Sequence, residues 1–219
     1  MSSEGMPGRV IIVEPAAQAQ SEPLLIVFSG PSGVGKDSVL RILRGRMLHN
    51  CYPVTVTTRA PRAGEVDGVS YIFVTRPRFE EMRAHGKLFA AADVHGHLYG
   101  VPFKTVCGAL MRGQDVVLKV DVQGAEDIRR RFPNAVYVFL APPSEKDLIE
   151  RLRARHTELG ADLERRIEDA SREMAEMDAY DYAIVNRDGE IDRAADDLVA
   201  IITAERLRLH REPVALGQC

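Results

Sequence analysis

Three cysteines in 219 residues, Cys51, Cys107 and Cys219, have neither metal-ligand spacing nor the pattern of a disulfide framework. No run approaches the roughly 18 consecutive apolar residues of a membrane span, so no membrane partner is expected. Residues 1–22 lack the basic start and long apolar core of a secretory signal, since Arg9 precedes only Val10, Ile11, Ile12 and Val13. An excess of one charge is missing too. A formal net charge of −3 exerts no general pull on nucleic acid, which is therefore not expected as a partner. What remains, 45% hydrophobic and 28% charged residues, suits one sizeable globular core with small inserted lobes. The expectation is a soluble, cytoplasmic protein, with no signal of oligomeric state.

What is present begins at Gly30, Pro31, Ser32, Gly33, Val34, Gly35 and Lys36. An apolar run, 24–28, precedes this stretch, and a segment with helical spacing, 39–48, follows it. Strand, glycine-rich turn and helix in that order give a G-x-x-x-x-G-K match its meaning. Small residues let backbone N–H groups curl into an anion nest, and the helix adds its positive end. Lys36 is placed to reach the terminal phosphates of a nucleoside triphosphate. A P-loop ordinarily has Ser or Thr after the lysine, to hold magnesium, whereas this one has Asp37 followed by Ser38. A carboxylate there is a hard ligand for Mg2+ and also repels a metal-free triphosphate. Alternatively Ser38 or water holds the metal and Asp37 caps the turn.

Along the chain, residues 1–22 read as a flexible extension in which 9–13 could add an edge strand. The continuous apolar strand at 24–29 suits a parallel sheet covered on both faces. The helix at 38–48 has Val39, Leu40, Leu43 and Met47 as its buried stripe. A turn-rich mixed lobe follows over 53–102, with strands at 53–58, 71–74 and 88–93, a helix at 78–85 and a tight turn at 95–100. Core elements resume with helices at 103–112 and 125–132 and strands at 115–120 and 134–140. Ser144 caps a helix to about 155, residues 156–162 read as a mobile break, and helices at 163–177 and 191–209 flank a strand at 182–185. This alternation predicts an α/β P-loop fold with a parallel core sheet flanked by helices, an inserted mixed substrate-binding lobe and a small lid. The expected organisation is 1–22 extension, 23–52, 103–150 and 168–210 core, 53–102 acceptor lobe, 151–167 lid with donor-side arginines, and 211–219 flexible tail.

Chemistry concentrates in two basic groups. Arg59 and Arg62 lie in a proline-containing turn with Tyr71 and Tyr99 as further donors, a set suited to bidentate capture of phosphate. Arg151, Arg155 and Arg166 flank the break, where closure would bring guanidinium groups beside a transferring phosphoryl. Arg129, Arg130 and Arg131 read as a solvated helix face. His95 and His97 have metal-compatible spacing, but no third ligand is evident nearby.

Together these residues resemble the guanylate kinase family. The resemblance rests on Gly30 to Lys36, then Thr57, Thr58, Arg59, Pro61, Arg62, Gly64 and Glu65 with Asp67 and Gly68, and Tyr71, Ile72 and Phe73. It continues through Tyr99 and Gly100, Asp121 to Gly124, Leu140 to Ser144, Arg166 with Ala170 and Glu173, and Tyr180 to Tyr182 before Val185 and Asn186. It implies phosphoryl transfer from MgATP to a nucleoside monophosphate, GMP or dGMP first, between a core, a lid and a substrate lobe. By that resemblance Gly30, Ser32, Gly33, Val34, Gly35, Lys36, Asp37, Ser38 and Asn186 bind ATP. Arg59, Arg62, Tyr71 and Tyr99 hold the acceptor phosphate, while Thr55 and Asp121 touch the base. Lys36, Arg151, Arg155 and Arg166 serve the transfer, and Asp37 faces the metal.

Departures accompany the resemblance. The family's guanine-reading glutamate falls on Ala90, and Asp93, three residues on, is expected on the opposite strand face. The acid that ordinarily stands two residues before Asp121 is Lys119, which is expected to pair with Asp37 or contact phosphate. Gly35, Lys36, Asp37 and Ser38 also resemble the ribose 1,5-bisphosphate phosphokinase family, which has no base to read. That sugar phosphate, another nucleoside monophosphate, or a non-enzymatic scaffold stand as alternatives.

Overall fold

The computed structural model describes residues 22–94, 96–155, 161–215 and 217. Residues 1–21, with the suggested edge strand at 9–13, lie outside the described residues, as do His95, the centre of the expected break and part of the tail.

The chain opens with β1 (Leu25–Ser29), the phosphate-loop sequence and α1 (Lys36–Arg46). Then come β2 (Val56–Thr57), β3 (Ile72–Phe73), α2 (Arg76–Ala84), β4 (Leu88–Val94) and β5 (His97–Pro102). Helix α3 (Phe103–Met111), β6 (Val116–Lys119), α4 (Val122–Arg131) and β7 (Val136–Ala141) follow. Helices α5 (Glu145–Arg155) and α6 (Ala161–Ala175), a 3-10 turn (Glu176–Ala179), β8 (Tyr182–Val185) and α7 (Ile191–Arg206) complete it.

These strands form two sheets. The core sheet runs β6-β1-β7-β8, all parallel, and the smaller one runs β3-β2-β5-β4 with both parallel and antiparallel pairs. Strand β1 explains the layering, because side chains alternate across a strand. Ile26 and Phe28 pack with Val39, Leu43, Leu198 and Ile202 of α1 and α7, whereas Leu25 and Val27 pack with Val106, Leu110 and Ile128 of α3 and α4. A strand covered on both faces has no polar side, which is why 24–28 reads as a continuous apolar run. Asp115, 4% exposed, pins the entry to β1 by accepting from the Leu24 N–H at 2.9 Å and from Arg206 Nε at 2.7 Å. Cys51 is free and half-buried.

Three local readings of the sequence need correction. The helix face at 129–131 is solvated only at Arg130, because Arg129 lies over the Tyr137 and Tyr180 rings and Arg131 donates to the Phe89 carbonyl at 2.6 Å. The stretch expected as a tight turn at 95–100 is strand β5 from His97 on, and Gly96, at φ 79, turns the chain before it. Leu98 packs with Phe79 and Val56, and Tyr99 lies opposite Thr57, so pairing with β2 and β4 extends the strand. Helix α4 begins at Val122, because the Asp121 carboxylate accepts from the Gly124 N–H at 3.0 Å and caps it. Ser144 caps α5 as expected, its hydroxyl accepting from the Asp147 N–H at 3.2 Å.

Candidate active site

One cleft lies between the carboxyl ends of the core strands and the smaller sheet, where ligands of open α/β sheets bind. Its donor wall is the glycine-rich loop, from Ser32 to Ser38. Gly30, Gly33 and Gly35 have φ values of 139, 85 and 103, in the region that favours glycine. At Gly30 a Cβ would stand 2.2 Å from the Leu140 carbonyl oxygen, so the loop leaves β1 pressed against β7. At Gly35 it would stand 2.6 Å from Asn186 Nδ2, which donates to the Val34 carbonyl at 2.8 Å. Asn186 is 6% exposed and props the loop from beneath rather than lining the cleft.

Lys36 donates to the carbonyls of Gly30 and, at 3.0 Å, Pro31. Burial pushes its pKa below the ordinary lysine value; Lys119 adds to that, and Glu173, Asp121 and Asp37 oppose it. The Ser32 N–H donates to Glu173 Oε2 at 3.0 Å, so a carboxylate from α6 occupies a donor of the nest. Burial also raises the Glu173 and Asp121 carboxyls above the usual range, against the pull of Lys36 on both.

The opposite wall comes from the smaller sheet and its connections. Thr55, Arg62, Tyr71 and Tyr99 all line the cleft, with Ala90, Ala91, Ala92 and Val94 between them and Asp121 at its floor. Arg59 stands behind this wall. Its guanidinium meets both Glu65 oxygens at 2.8 and 2.9 Å and lies 5.3 Å from the Tyr71 ring centroid. Burial opposes the Arg59 charge, but bonds to Glu65 and Tyr99 more than restore it. Glu65 also accepts from the Arg62 N–H at 2.8 Å, which fixes the turn holding Arg62.

Lys119, the last residue of β6, stands between the walls. Its ammonium donates to the Asp37 carboxylate on the donor side and to the Tyr71 hydroxyl, 2.9 Å away, on the acceptor side. The pairing of Lys119 with Asp37 expected from the sequence is therefore present. Asp93 points away from the cleft, 49% exposed and 3.7 Å from Arg76, so it does not take the place left by Ala90.

Arg151 and Arg166 do not line the cleft. Arg151 is held outside it by Asp188, at 2.6 Å, and by the Asn186 carbonyl, at 2.8 Å. Arg166 is half-buried on α6, and the Arg155 side chain lies outside the described residues. His97 is an exposed strand residue. Glu173 as a brace for the loop was not anticipated, since nothing in a helical glutamate announces a partner 141 residues earlier.

A family model described as guanylate kinase matches residues 22–205. The chain is 44% identical over 188 residues to a guanylate kinase of Carboxydothermus hydrogenoformans, covering 86% of this chain and 91% of that one. It is also 44% identical over 189 residues to a guanylate kinase of Bacillus subtilis, covering 86% and 92%. Among solved structures, guanylate kinase from Anaplasma phagocytophilum superposes with a TM-score of 0.70 at 33% identity, covering 90% of this chain and 93% of that one.

Proposed function

The chain belongs to the guanylate kinase family, and we infer from that premise and from the cleft that it transfers the terminal phosphoryl group of ATP to GMP, giving ADP and GDP. One observation carries the reading at the level of chemistry. A phosphate nest with its lysine and a cluster of Arg62, Tyr71 and Tyr99 face each other across one cleft. Phosphoryl transfer asks a protein chiefly for position and charge. The acceptor is already an anionic phosphate, so no general base is required.

On this reading the triphosphate replaces the contacts that Lys36 makes with Gly30 and Pro31 and the one that Glu173 makes with Ser32. Arg62, Tyr71 and Tyr99 hold the acceptor phosphate, with Arg59 setting the tyrosine wall from behind, and Thr55 and Asp121 meet the base. Arg151, Arg155 and Arg166 act from the donor side when the lid segment closes. Among the described residues no group of three or more His, Cys, Asp or Glu side chains could hold a metal. Magnesium fits as an ion held chiefly by nucleotide phosphates and water, with Asp37, 76% exposed at the mouth of the nest, supplying a protein carboxylate. When bound, Mg2+ neutralises charge on the terminal phosphates.

An ATP-consumption assay with GMP, dGMP, AMP, UMP and ribose 1,5-bisphosphate side by side tests the reading. Turnover of GMP and dGMP is expected. Turnover of the sugar bisphosphate alone would overturn it.

A further inference from the structure

We propose that Lys119 is a mobile cation of the transfer itself: held by Asp37 and Tyr71 in the empty cleft, its ammonium moves onto phosphate oxygens and keeps donor and acceptor phosphates in line. The proposal rests on the guanylate kinase reading of the cleft.

The placement comes first. Lys119 pairs in register with Phe28 in the core sheet, so its backbone is fixed at the carboxyl end of β6 beside the strand that feeds the nest. Only its side chain reaches into the cleft, where it is 19% exposed. Asp37 adjoins Lys36 in the donor loop, and Tyr71 belongs to the acceptor lobe, so one ammonium touches a residue of each substrate site. An ammonium in contact with both walls is within a side chain's swing of any phosphoryl group passing between them.

Charge makes the same point. Burial disfavours the Lys119 ammonium, but Asp37 and Tyr71 outweigh that and hold its pKa above the ordinary lysine value. Lys36 and Lys119 repel each other, with Asp37, Asp121 and Glu173 as the nearby anions. Incoming phosphates supply the same negative charge, so Lys119 exchanges a protein anion for a substrate anion. It forms no covalent bond and gives up no proton; the phosphoryl group alone moves, from the ADP leaving oxygen to the GMP phosphate oxygen.

The competing role is a plain counter-ion for Asp37. Removing Lys119 from a protein that has no Asp37 separates the two. Wild type, Asp37→Ser, Lys119→Met, Lys119→Arg and the double variant Asp37→Ser with Lys119→Met are assayed with GMP and ATP each varied. GMP binding to each is measured by calorimetry, and folding by thermal unfolding. Expected is a kcat for the double variant about 100-fold or more below that of Asp37→Ser, a loss on the scale of removing one charge-stabilising donor. The KM and Kd for GMP should shift less than about threefold, and Lys119→Arg should recover about tenfold over Lys119→Met. Lys119→Gln in the Asp37→Ser background replaces the methionine variant if that one fails to fold, with the same loss expected. Equal kcat values for Asp37→Ser and the double variant would leave Lys119 a counter-ion only and overturn the proposal. A wild type that consumes no ATP with GMP would overturn the underlying reading as well, whereas an active wild type with a harmless Lys119 loss overturns the proposal alone.

Discussion

Ala90→Glu tests how the cleft selects its base. Ala90 lies in β4 opposite Val101 and lines the cleft with Ala91 and Ala92, so this part of the wall offers methyl groups. Guanine presents two kinds of donor on one edge, the N1–H and the 2-amino group. Hypoxanthine, the base of IMP, keeps the first and lacks the second. A donor buried without an acceptor costs about 1–3 kcal/mol, which is roughly a 5- to 150-fold loss in binding. A carboxylate at position 90 would accept from both donors of GMP but from one of IMP. The ratio of kcat/KM for GMP to that for IMP should therefore rise about tenfold in the variant. A carboxylate added near Asp121, whose own carboxyl burial already pushes up, carries an electrostatic penalty. That penalty falls on both nucleotides and cancels in the ratio. Steady-state assays of wild type and variant with both acceptors give the number. An unchanged ratio in a folded variant would mean that another group already accepts from the 2-amino position, and the reasoning from Ala90 would fail.

Three further outcomes follow from contacts that hold the cleft in shape. Gly30→Ala combines the strain of φ 139 with a Cβ 2.2 Å from the Leu140 carbonyl oxygen, so it should cost at least about 3 kcal/mol and lower Tm by about 6–12 °C; a fall under about 2 °C in thermal denaturation would contradict this. Asp115→Ala leaves the buried Leu24 N–H without its acceptor and should cost about 2–3 kcal/mol in urea unfolding, at the lower end because Arg206 is 42% exposed. Glu173→Gln should change the pH dependence of stability. Burial raises the Glu173 carboxyl above its ordinary 4.5, so between that value and its folded pKa the native chain binds more protons than the unfolded one. The stability Glu173 contributes is thus present below 4.5 and lost as pH rises through its folded pKa, and unfolding measured from about pH 4 to 7 should fall more steeply in wild type than in the variant.

The parts legible in the sequence are those whose causes are local. The apolar run of β1, the glycines of the nest and the stripe of Val39, Leu40 and Leu43 on α1 each carry their reason within a few residues. The two-residue pairings of β2 and β3 and the extension of β5 arise from neighbours brought together by the fold, and local turn signals obscure them. The same division runs through the site. Arg59, Arg62, Tyr71 and Tyr99 were nameable from one lobe; the last three line the cleft, and the pairing of the Arg59 guanidinium with Glu65, six residues on, was not legible. Asp37 looks anomalous beside Lys36 when read alone, since a carboxylate there repels the phosphates that the nest attracts. Lys119, 82 residues later, looks anomalous for a like reason, as a buried ammonium at the end of a core strand. The structure places each as the other's partner in the empty cleft. The departure from the usual P-loop is thus a redistribution of charge between the first turn of α1 and the end of β6, and the chemistry of the cleft has to be read from its set of charges rather than from its motif.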